Sequence, residues 1–289
     1  MFVLNINFCY NTLLWMQILY KKRMEKRKVQ VITSKDNEIV KSIKKLKEKK
    51  YRDQESKFIV ERIKMIKEAI LENANIDKIV ICEECINNGT IDKELLYEIA
   101  KEDCIYVTEN VFNTLTDVTN PQGILAIIKK QSNEENISYN EDIIVVLDGI
   151  QDPGNLGTIL RTVDSVGLSQ IILSEKTADP YNPKVVRSTM GAIYRVNIIR
   201  SNNIIETLKN MKKNKYEITA TYLNTNESIY DIDYSKKAIV IGNEANGVSK
   251  EVIDLADIKV KIPMLGKTES LNAAVATGVI LYEYVRRKI

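Results

Sequence analysis

Histidine is absent from this chain of 289 residues. Its absence excludes a histidine general base, a Ser-His-Asp or Cys-His triad, and any histidine-ligated metal site. Cysteine is scarce, and Cys9, Cys82, Cys85 and Cys104 are too few for a disulfide scaffold. Cys82 and Cys85 have the spacing of a metal or redox motif but lack a second pair, and Cys82 closes an apolar run, which favours a buried thiol at a strand end. We therefore expect no metal site and a reducing, cytoplasmic location.

A long, pure apolar run is also missing. Phe2 to Tyr20 is fairly apolar, but asparagines and Gln17 interrupt it, and it lacks the charge order and cleavage site of a signal peptide. We expect translation to start at Met24, so that residues 1–30 form an extension that is either untranslated or disordered. A membrane anchor is the alternative, and we predict no membrane partner.

The charge is unevenly distributed along the chain. The net charge is +3, yet residues 21–67 contain 18 lysines and arginines against 7 acidic residues, which leaves a net charge of −8 for the remainder. A basic N-terminal part predicts that a polyanionic partner binds there. A solvated lysine-rich helix face is the competing interpretation.

Alternating helical patterns and short apolar runs predict two α/β domains. The first covers residues 31–130, with helices expected at 37–50, 62–72, 92–101 and 109–115, and strands at 58–60, 79–81, 104–107 and 124–128. A polar, aperiodic stretch at 131–142 reads as a linker. The second domain, 143–289, is expected to hold a mostly parallel sheet, with its ligand at the carboxyl ends of the strands.

The expected strands of the second domain are apolar runs between helical patterns. They lie at Ile143–Leu147, Ile171–Leu173, Tyr194–Ile198, Glu217–Thr221, Ala238–Ile241 and Lys259–Ile262. Helices are expected at Leu156–Val166, Asn203–Lys213 and Leu271–Arg287.

Three blocks at the ends of these predicted strands contain glycine with polar side chains. They are Asp148-Gly-Ile-Gln-Asp-Pro-Gly-Asn-Leu-Gly-Thr-Ile-Leu-Arg161, Ile239-Val-Ile-Gly-Asn-Glu244 and Ile262-Pro-Met-Leu-Gly-Lys-Thr-Glu-Ser-Leu-Asn272. Strand ends are where α/β proteins expose backbone and polar groups to a ligand, so the blocks favour an enzyme site.

Each block also has a purely structural interpretation. Asn155 and Ser270 stand where helix N-caps are expected, and Arg161 is equally consistent with a solvated side chain. Gly242 is expected to let a ligand approach the backbone closely. Glu175 raises the alternative of a Rossmann dinucleotide site, but the glycines of the first block lack the G-x-G-x-x-G spacing.

In this order the three blocks resemble the signature motifs of the SpoU (TrmH-like) branch of the SPOUT RNA 2′-O-ribose methyltransferases. Arg52-Asp-Gln-Glu-Ser-Lys-Phe-Ile-Val-Glu61 is similar to the entry of that family's RNA-binding domain, and Thr119-Asn-Pro-Gln-Gly123 to its end. The resemblance implies S-adenosylmethionine as methyl donor, a small α/β RNA-binding domain, a SPOUT-type parallel sheet tied in a deep trefoil knot, and a homodimer.

The resemblance also assigns the site residues. The cofactor positions are Thr221, Leu223, Gly242, Asn243, Ile262, Met264 and Leu271, and the catalytic and ribose positions are Asn155, Arg161, Glu244, Ser270 and Asn272. The chain departs from the pattern at two places, where Arg62 and Ala245 replace glycines that the family often has. An activated sulfonium methyl needs mainly a positioned 2′-oxygen. Since arginine stays protonated, we expect Arg161 to bind a phosphate or the forming alkoxide, while Glu244 or Asn272 orients the hydroxyl.

The sequence thus predicts an RNA 2′-O-methyltransferase, with 23S-type ribosomal RNA as the first target and transfer RNA as the second. A catalytically silent RNA-binding or ribosome-assembly factor with the same fold is the alternative from another class. A Rossmann-type oxidoreductase is a weaker one.

Overall fold

The computed structural model describes residues 30–87, 90, 91, 93–99, 101–131 and 137–289. The chain divides into two compact units, Met1–Lys129 and Lys130–Ile289. The expectations for residues 1–29, including a start at Met24, and for 132–136 of the predicted linker lie outside the described residues.

The first unit is a four-stranded mixed sheet with helices. Its elements are α1 (Glu38–Lys45), α2 (Lys49–Glu55), β1 (Lys57–Glu61), α3 (Ile63–Leu71), β2 (Ile76–Cys82), α4 (Glu83–Asn87), α5 (Lys93–Ile99), β3 (Cys104–Val107), α6 (Glu109–Leu115) and β4 (Ile124–Lys129). The strand order is β1-β4-β2-β3. Strand β4 runs antiparallel to both neighbours, and β2 pairs parallel with β3.

The sequence before β1 forms two helices where one was predicted. Helix α1 buries Val40 and Ile43 at helical spacing, and Asn37 caps it by accepting a hydrogen bond from the Ile39 amide. The chain then turns, and the buried Arg52 donates to the carbonyls of Leu46 (3.0 Å) and Lys47 (2.6 Å). Arg52 therefore stabilises the break between the helices, because unpaired carbonyls at a helix end need donors.

The second unit is a six-stranded parallel sheet flanked by helices. Its elements are β5 (Ile143–Asp148), α7 (Pro153–Ser165), β6 (Gln170–Ser174), α8 (Pro183–Thr189), α9 (Ala192–Arg195), β7 (Asn197–Ser201), α10 (Ile204–Lys213), β8 (Glu217–Thr221), β9 (Lys237–Gly242), α11 (Lys250–Leu255), β10 (Ile258–Val260) and α12 (Ala273–Lys288). The strand order is β10-β8-β9-β5-β6-β7, and all pairs are parallel. This agrees with the predicted α/β class and parallel sheet.

The central strand pair places the first two sequence blocks side by side. Strand β5 is buried along its whole length, and Asp148 at its end lies opposite Gly242 at the end of β9. Because parallel strands end at the same edge of a sheet, the loops that follow them meet there.

The structure differs from the local predictions in this unit at three places. Ala192–Arg195 is a short helix, so β7 begins at Asn197 rather than at Tyr194. Helix α8 was not predicted, although Asn182 caps it and Pro183 opens it, which is a common start signal. Strand β10 ends at Val260, two residues earlier than predicted.

Helix α12 is attached to the preceding chain through Arg287, which Glu283 of the same helix binds. The carboxylate of this buried residue accepts hydrogen bonds from Arg286 (2.8 Å) and Arg287 (2.7 Å), which hold its pKa at about 2 although burial opposes the shift. Arg287 also donates to the carbonyls of Ile232 and Tyr230.

None of the helices in the described part of the chain combines the length and hydrophobicity of a membrane span. The described residues also contain no group of three or more Cys, Asp or Glu side chains able to hold a metal ion.

We expect Glu283→Gln to lower the melting temperature by a few degrees at pH 7, because the charge on Glu283 binds two arginines. The pKa of Glu283 is depressed in the folded state, so its contribution is present above its unfolded pKa of about 4.5 and is lost as pH falls towards about 2. Thermal unfolding of both proteins at pH 7, 5, 4 and 3 measures this. A difference that stays constant down to pH 3 would contradict the assignment.

Candidate active site

The first block forms the loop after β5 and the start of α7. Asp148 is buried, and its carboxylate accepts a hydrogen bond from the Ser249 amide (2.8 Å). The predicted N-cap at Asn155 was wrong: Asp152 caps α7 and accepts from the Asn155 amide (2.8 Å). Asn155 is the third residue of the helix, so its side chain is free for another role.

The second block ends β9 in a loop that folds back on itself. The Asn243 and Gly247 backbones exchange two hydrogen bonds of 2.9 Å. A Cβ atom added at Gly242 would lie 2.1 Å from the backbone of Gly247 and Val248. The chain's own loop therefore occupies the side of Gly242 on which a Cβ atom would lie, while Gly242 still lines the pocket described below, so a ligand approaching its backbone stays a prediction.

Asn243 holds this loop and connects it to the first block. Its side-chain amide donates to the Gly149 carbonyl (2.8 Å), and its oxygen accepts from the amides of Ala245 (2.9 Å) and Asn246 (3.2 Å). Asn243 thus fastens the loop after β9 to the loop after β5.

The third block leads from β10 into α12. The expected N-cap at Ser270 was wrong: Asn272 caps the helix, and its side-chain oxygen accepts from the amides of Ala274 (3.0 Å) and Val275 (3.2 Å). Ser270 is exposed, and its hydroxyl bonds no described residue.

A chain of side-chain hydrogen bonds joins the three blocks. The Asn272 amide donates to the Asn155 side-chain oxygen (2.9 Å), and the Asn155 amide donates to the Glu244 carboxylate (2.6 Å). The carboxylate oxygen that Asn155 does not use bonds no described residue. The arrangement therefore holds the Glu244 carboxylate in place and leaves one of its oxygens able to accept another hydrogen bond.

Glu244 also lines a pocket of about 440 Å³ beside this network. The pocket is lined by all seven residues predicted to bind the cofactor: Thr221, Leu223, Gly242, Asn243, Ile262, Met264 and Leu271. Ser270 lines it as well. Its volume and its mixture of aliphatic and polar groups are those of a site for a small organic ligand.

The fit to S-adenosylmethionine rests on the chemistry of this lining. Ile241, Val248 and Val260 add buried apolar side chains that suit an adenine ring, and the carboxylates of Glu244 and Glu269 suit a cationic sulfonium group. The residues present therefore match a ligand with one flat apolar part and one charged part.

Arg161 stands apart from the hydrogen-bonded network. It lies on α7 beyond Asn155, its side chain is exposed, and it makes no hydrogen bond or ion pair with a described residue. Within one chain, the structure therefore brings together Asn155, Glu244 and Asn272, places Ser270 in the pocket beside them, and leaves Arg161 outside.

The dinucleotide alternative loses its support in the structure. Glu175 lines another pocket, of about 380 Å³, together with Gln151 and Lys176. A Cβ atom at Gly157 would lie 2.4 Å from the Cβ of Ser188, so this glycine permits close packing of α7 against α8. It does not serve a phosphate loop.

Several lining residues escaped the sequence prediction. They are Ala245, Asn246, Gly247, Val248, Val260, Glu269, Ala273 and Ala276. Four of them, Ala245 to Val248, reach the pocket because the loop after β9 folds back, and no short motif signals that. Asp152 was detectable, because a polar residue before proline is a common helix start.

Comparison with known proteins now defines the family. Residues 142–282 match the model of the SpoU rRNA methylase family, and residues 37–126 match an MRM3-like substrate binding domain. The chain is 31% identical over 252 residues to the 23S rRNA (guanosine(2553)-2′-O)-methyltransferase RlmP of Bacillus subtilis, covering 87% of this chain and 97% of that protein. The chain belongs to the SpoU family.

Solved structures agree with this assignment. The AdoMet-bound rRNA methyltransferase from Sinorhizobium meliloti is 32% identical, with a TM-score of 0.77 over 91% of this chain and 100% of that one. The SpoU methyltransferase AviRb from Streptomyces viridochromogenes, in complex with AdoMet, is 25% identical, with a TM-score of 0.78 over 87% and 98%. The predicted family, α/β fold, S-adenosylmethionine cofactor and RNA 2′-O-methyltransferase class are confirmed.

We expect Gly242→Ala to weaken S-adenosylmethionine binding more than tenfold and to lower the melting temperature, because its methyl group would collide with backbone and overpacking costs about 1–3 kcal/mol. Isothermal titration calorimetry and thermal unfolding measure the two effects. Gly266→Ala is the matched control in the third block, since its added Cβ meets no atom within 4 Å. Wild-type affinity in Gly242→Ala would refute the described loop.

Proposed function

We propose that this enzyme methylates the 2′-hydroxyl of one ribose in 23S-type ribosomal RNA. The observation that carries the proposal is the chain of hydrogen bonds from Asn272 through Asn155 to Glu244, at the pocket that contains the seven predicted cofactor residues. The relative RlmP is named for 2′-O-methylation of a 23S guanosine, which supports this target.

The seven residues Thr221, Leu223, Gly242, Asn243, Ile262, Met264 and Leu271 are proposed to bind S-adenosylmethionine. When bound, this cofactor supplies a methyl group already activated by its sulfonium. The protein therefore has mainly to hold the ribose oxygen in line with that methyl group. Gly242 and Asn243 contribute by shaping the loop after β9, and the other five contribute as side chains of the pocket wall.

Glu244 is proposed to orient the ribose hydroxyl. Asn155 binds one carboxylate oxygen of Glu244, so the other is available to accept a hydrogen bond from the ribose hydroxyl. This hydrogen bond directs a lone pair of the ribose oxygen towards the methyl group. The oxygen of Asn272 already accepts two helix amides, so Asn272 acts through Asn155 as a positioning residue. Ser270 is free to bind the ribose from the other side of the pocket.

Arg161 is proposed to stabilise negative charge on the RNA, either on the forming alkoxide or on a flanking phosphate. Its guanidinium remains protonated and presents several donors in a fixed plane, which suits this role better than proton removal. The exposed position of Arg161 on α7 leaves it available to RNA and to a second protein chain.

A homodimer is proposed to complete the site. Val275 and Tyr282 are 53% and 55% exposed, and they lie seven residues apart on one face of α12. The Tyr282 hydroxyl lies 3.4 Å from the Ser165 hydroxyl. Ser165 is on α7, one helical turn after Arg161. A second copy that covers this apolar face would place Arg161 at the interface.

The remaining parts of the proposal follow from the family. Residues 31–130 are proposed to bind the RNA, 131–142 to act as a linker, and 143–289 to form the methyltransferase domain with a deep trefoil knot. With ribosomal RNA as substrate, we place the protein in the cytoplasm.

The target is tested by mapping 2′-O-methylated positions in ribosomal and transfer RNA from cells with and without the gene. We expect one 23S position to lose its methyl group, with rescue by wild type and by Lys209→Ala, an exposed charge on α10, but not by Arg161→Ala. Removing a donor that stabilises developing charge lowers turnover by about 100-fold or more.

Other outcomes of that mapping point elsewhere. A lost methyl group in transfer RNA would move the target, and no change in either RNA would support the silent RNA-binding alternative. Near-full turnover of Arg161→Lys on the mapped substrate would contradict a role for the planar guanidinium.

We expect Tyr282→Glu to convert a dimer into a monomer, because it places a charge in the middle of the apolar face of α12. Size-exclusion chromatography with light scattering measures the mass. Leu71→Glu is the control, since Leu71 is 73% exposed in the first unit. A monomeric wild type, or a dimeric Tyr282→Glu, would contradict this interface.

A further inference from the structure

Arg62 adopts a backbone conformation that favours glycine. Its φ of 84° and ψ of 134° lie outside the regions open to residues with a Cβ atom. The surroundings hold it there. Glu61 is in register with Leu125 at the end of β1, and Gln122 accepts a hydrogen bond from the Ile63 amide (2.9 Å). Glycine would adopt this conformation without strain.

A pocket of about 360 Å³ lies beside this strained residue. Phe112, Val118 and Ile124 supply apolar lining, and Thr119 and Asn120 supply exposed polar side chains. Neither polar side chain bonds a described residue. The volume is at the lower end for ligand sites, which suits one flat base.

The two charged side chains that line this pocket, Glu61 and Arg62, differ in whether they already have a hydrogen-bond partner. The carboxylate of Glu61 is buried and engaged by the Thr116 hydroxyl (2.5 Å) and the Asp117 amide (3.3 Å). Arg62 is exposed and has no hydrogen bond or ion pair with a described residue.

Several other cations of the first unit are not free in this way. Lys41, Lys47, Lys49 and Lys57 each pair with a carboxylate. Arg62 is therefore a cation that the first unit leaves available, held at the edge of a cavity by a backbone that costs stability.

We infer that Arg62 and this pocket form a subsite for one unpaired nucleotide of the RNA substrate, with the guanidinium on its phosphate and the base against Asn120. The inference rests on the proposed function. Unpaired nucleotides present both a phosphate and free base edges, and proteins read them with arginine and amide side chains. Strained residues persist where they serve a ligand, which accounts for arginine at a position that suits glycine.

The test uses the full-length protein and an unmodified 23S ribosomal RNA transcript in filter binding across a range of salt concentrations. We expect Arg62→Gly to weaken binding at least about tenfold and to reduce the salt slope of the affinity by about one. The same variant should melt about 2–4 °C higher, because glycine relieves the strained backbone. The KM for RNA should rise while kcat and S-adenosylmethionine affinity stay unchanged.

Three matched variants separate charge, strain and pocket. Lys215→Gly removes an exposed charge at another positive φ, in the second unit, and should raise stability without changing RNA affinity. Lys64→Ala removes an exposed charge near Arg62 that does not line the pocket, and should cost less than about twofold. Asn120→Ala should weaken binding about fivefold or more without changing the salt slope.

The outcomes distinguish this inference from the proposed function. If wild type neither binds nor methylates the transcript, the proposed function fails. If wild type does both but Arg62→Gly binds with unchanged affinity and slope, the subsite is refuted. An equal loss in Lys64→Ala would also refute it, because general charge would then explain the effect. If Arg62→Gly folds poorly, Arg62→Ala and Asn120→Ala decide in the same assay.

Discussion

The side-chain amide of Asn155 is the contact on which the arrangement of the site depends. Its oxygen accepts a hydrogen bond from the Asn272 amide, and its nitrogen donates one to the Glu244 carboxylate. These two bonds fix the orientation of the Asn155 side chain. Each partner follows a different strand of the parallel sheet, and the sheet alone would leave these loops free to separate. A substitution by aspartate would keep the shape but place two carboxylates against each other, since it removes the donor that Glu244 uses.

Much of the fold was predictable because short apolar runs alternate with helical patterns along the second unit. The same runs located the three blocks at strand ends, and the resemblance selected the seven pocket residues. The sequence did not reveal which of several possible residues caps a helix or which part of the chain packs against a glycine. Asp152 displaced Asn155 as the N-cap, and Asn272 displaced Ser270, because several good capping residues stand close together. The space above Gly242 is filled by Gly247, which only the folded loop reveals.

The two units use backbone geometry for opposite purposes. At Gly242 the absence of a Cβ atom permits a loop to close tightly, and stability and pocket shape agree. At Arg62 a residue with a Cβ atom adopts a backbone conformation that glycine would adopt without strain. The arginine therefore lowers stability while it supplies the proposed RNA contact. Such a conflict is informative, because selection for folding alone would remove it.

The hydrogen-bonded chain also has a consequence for folding. Its members are separated by 89 and 117 positions, so the site cannot form until distant parts of the second unit have come together. Parallel sheets with such non-local pairing fold slowly, because loop closure precedes the contacts that stabilise it. The pocket beside this chain is lined by residues after β8, after β9 and in the third block, so a ligand binds there only when these segments have come together. Cofactor binding therefore stabilises the folded arrangement of these segments and shifts the folding equilibrium towards it by mass action.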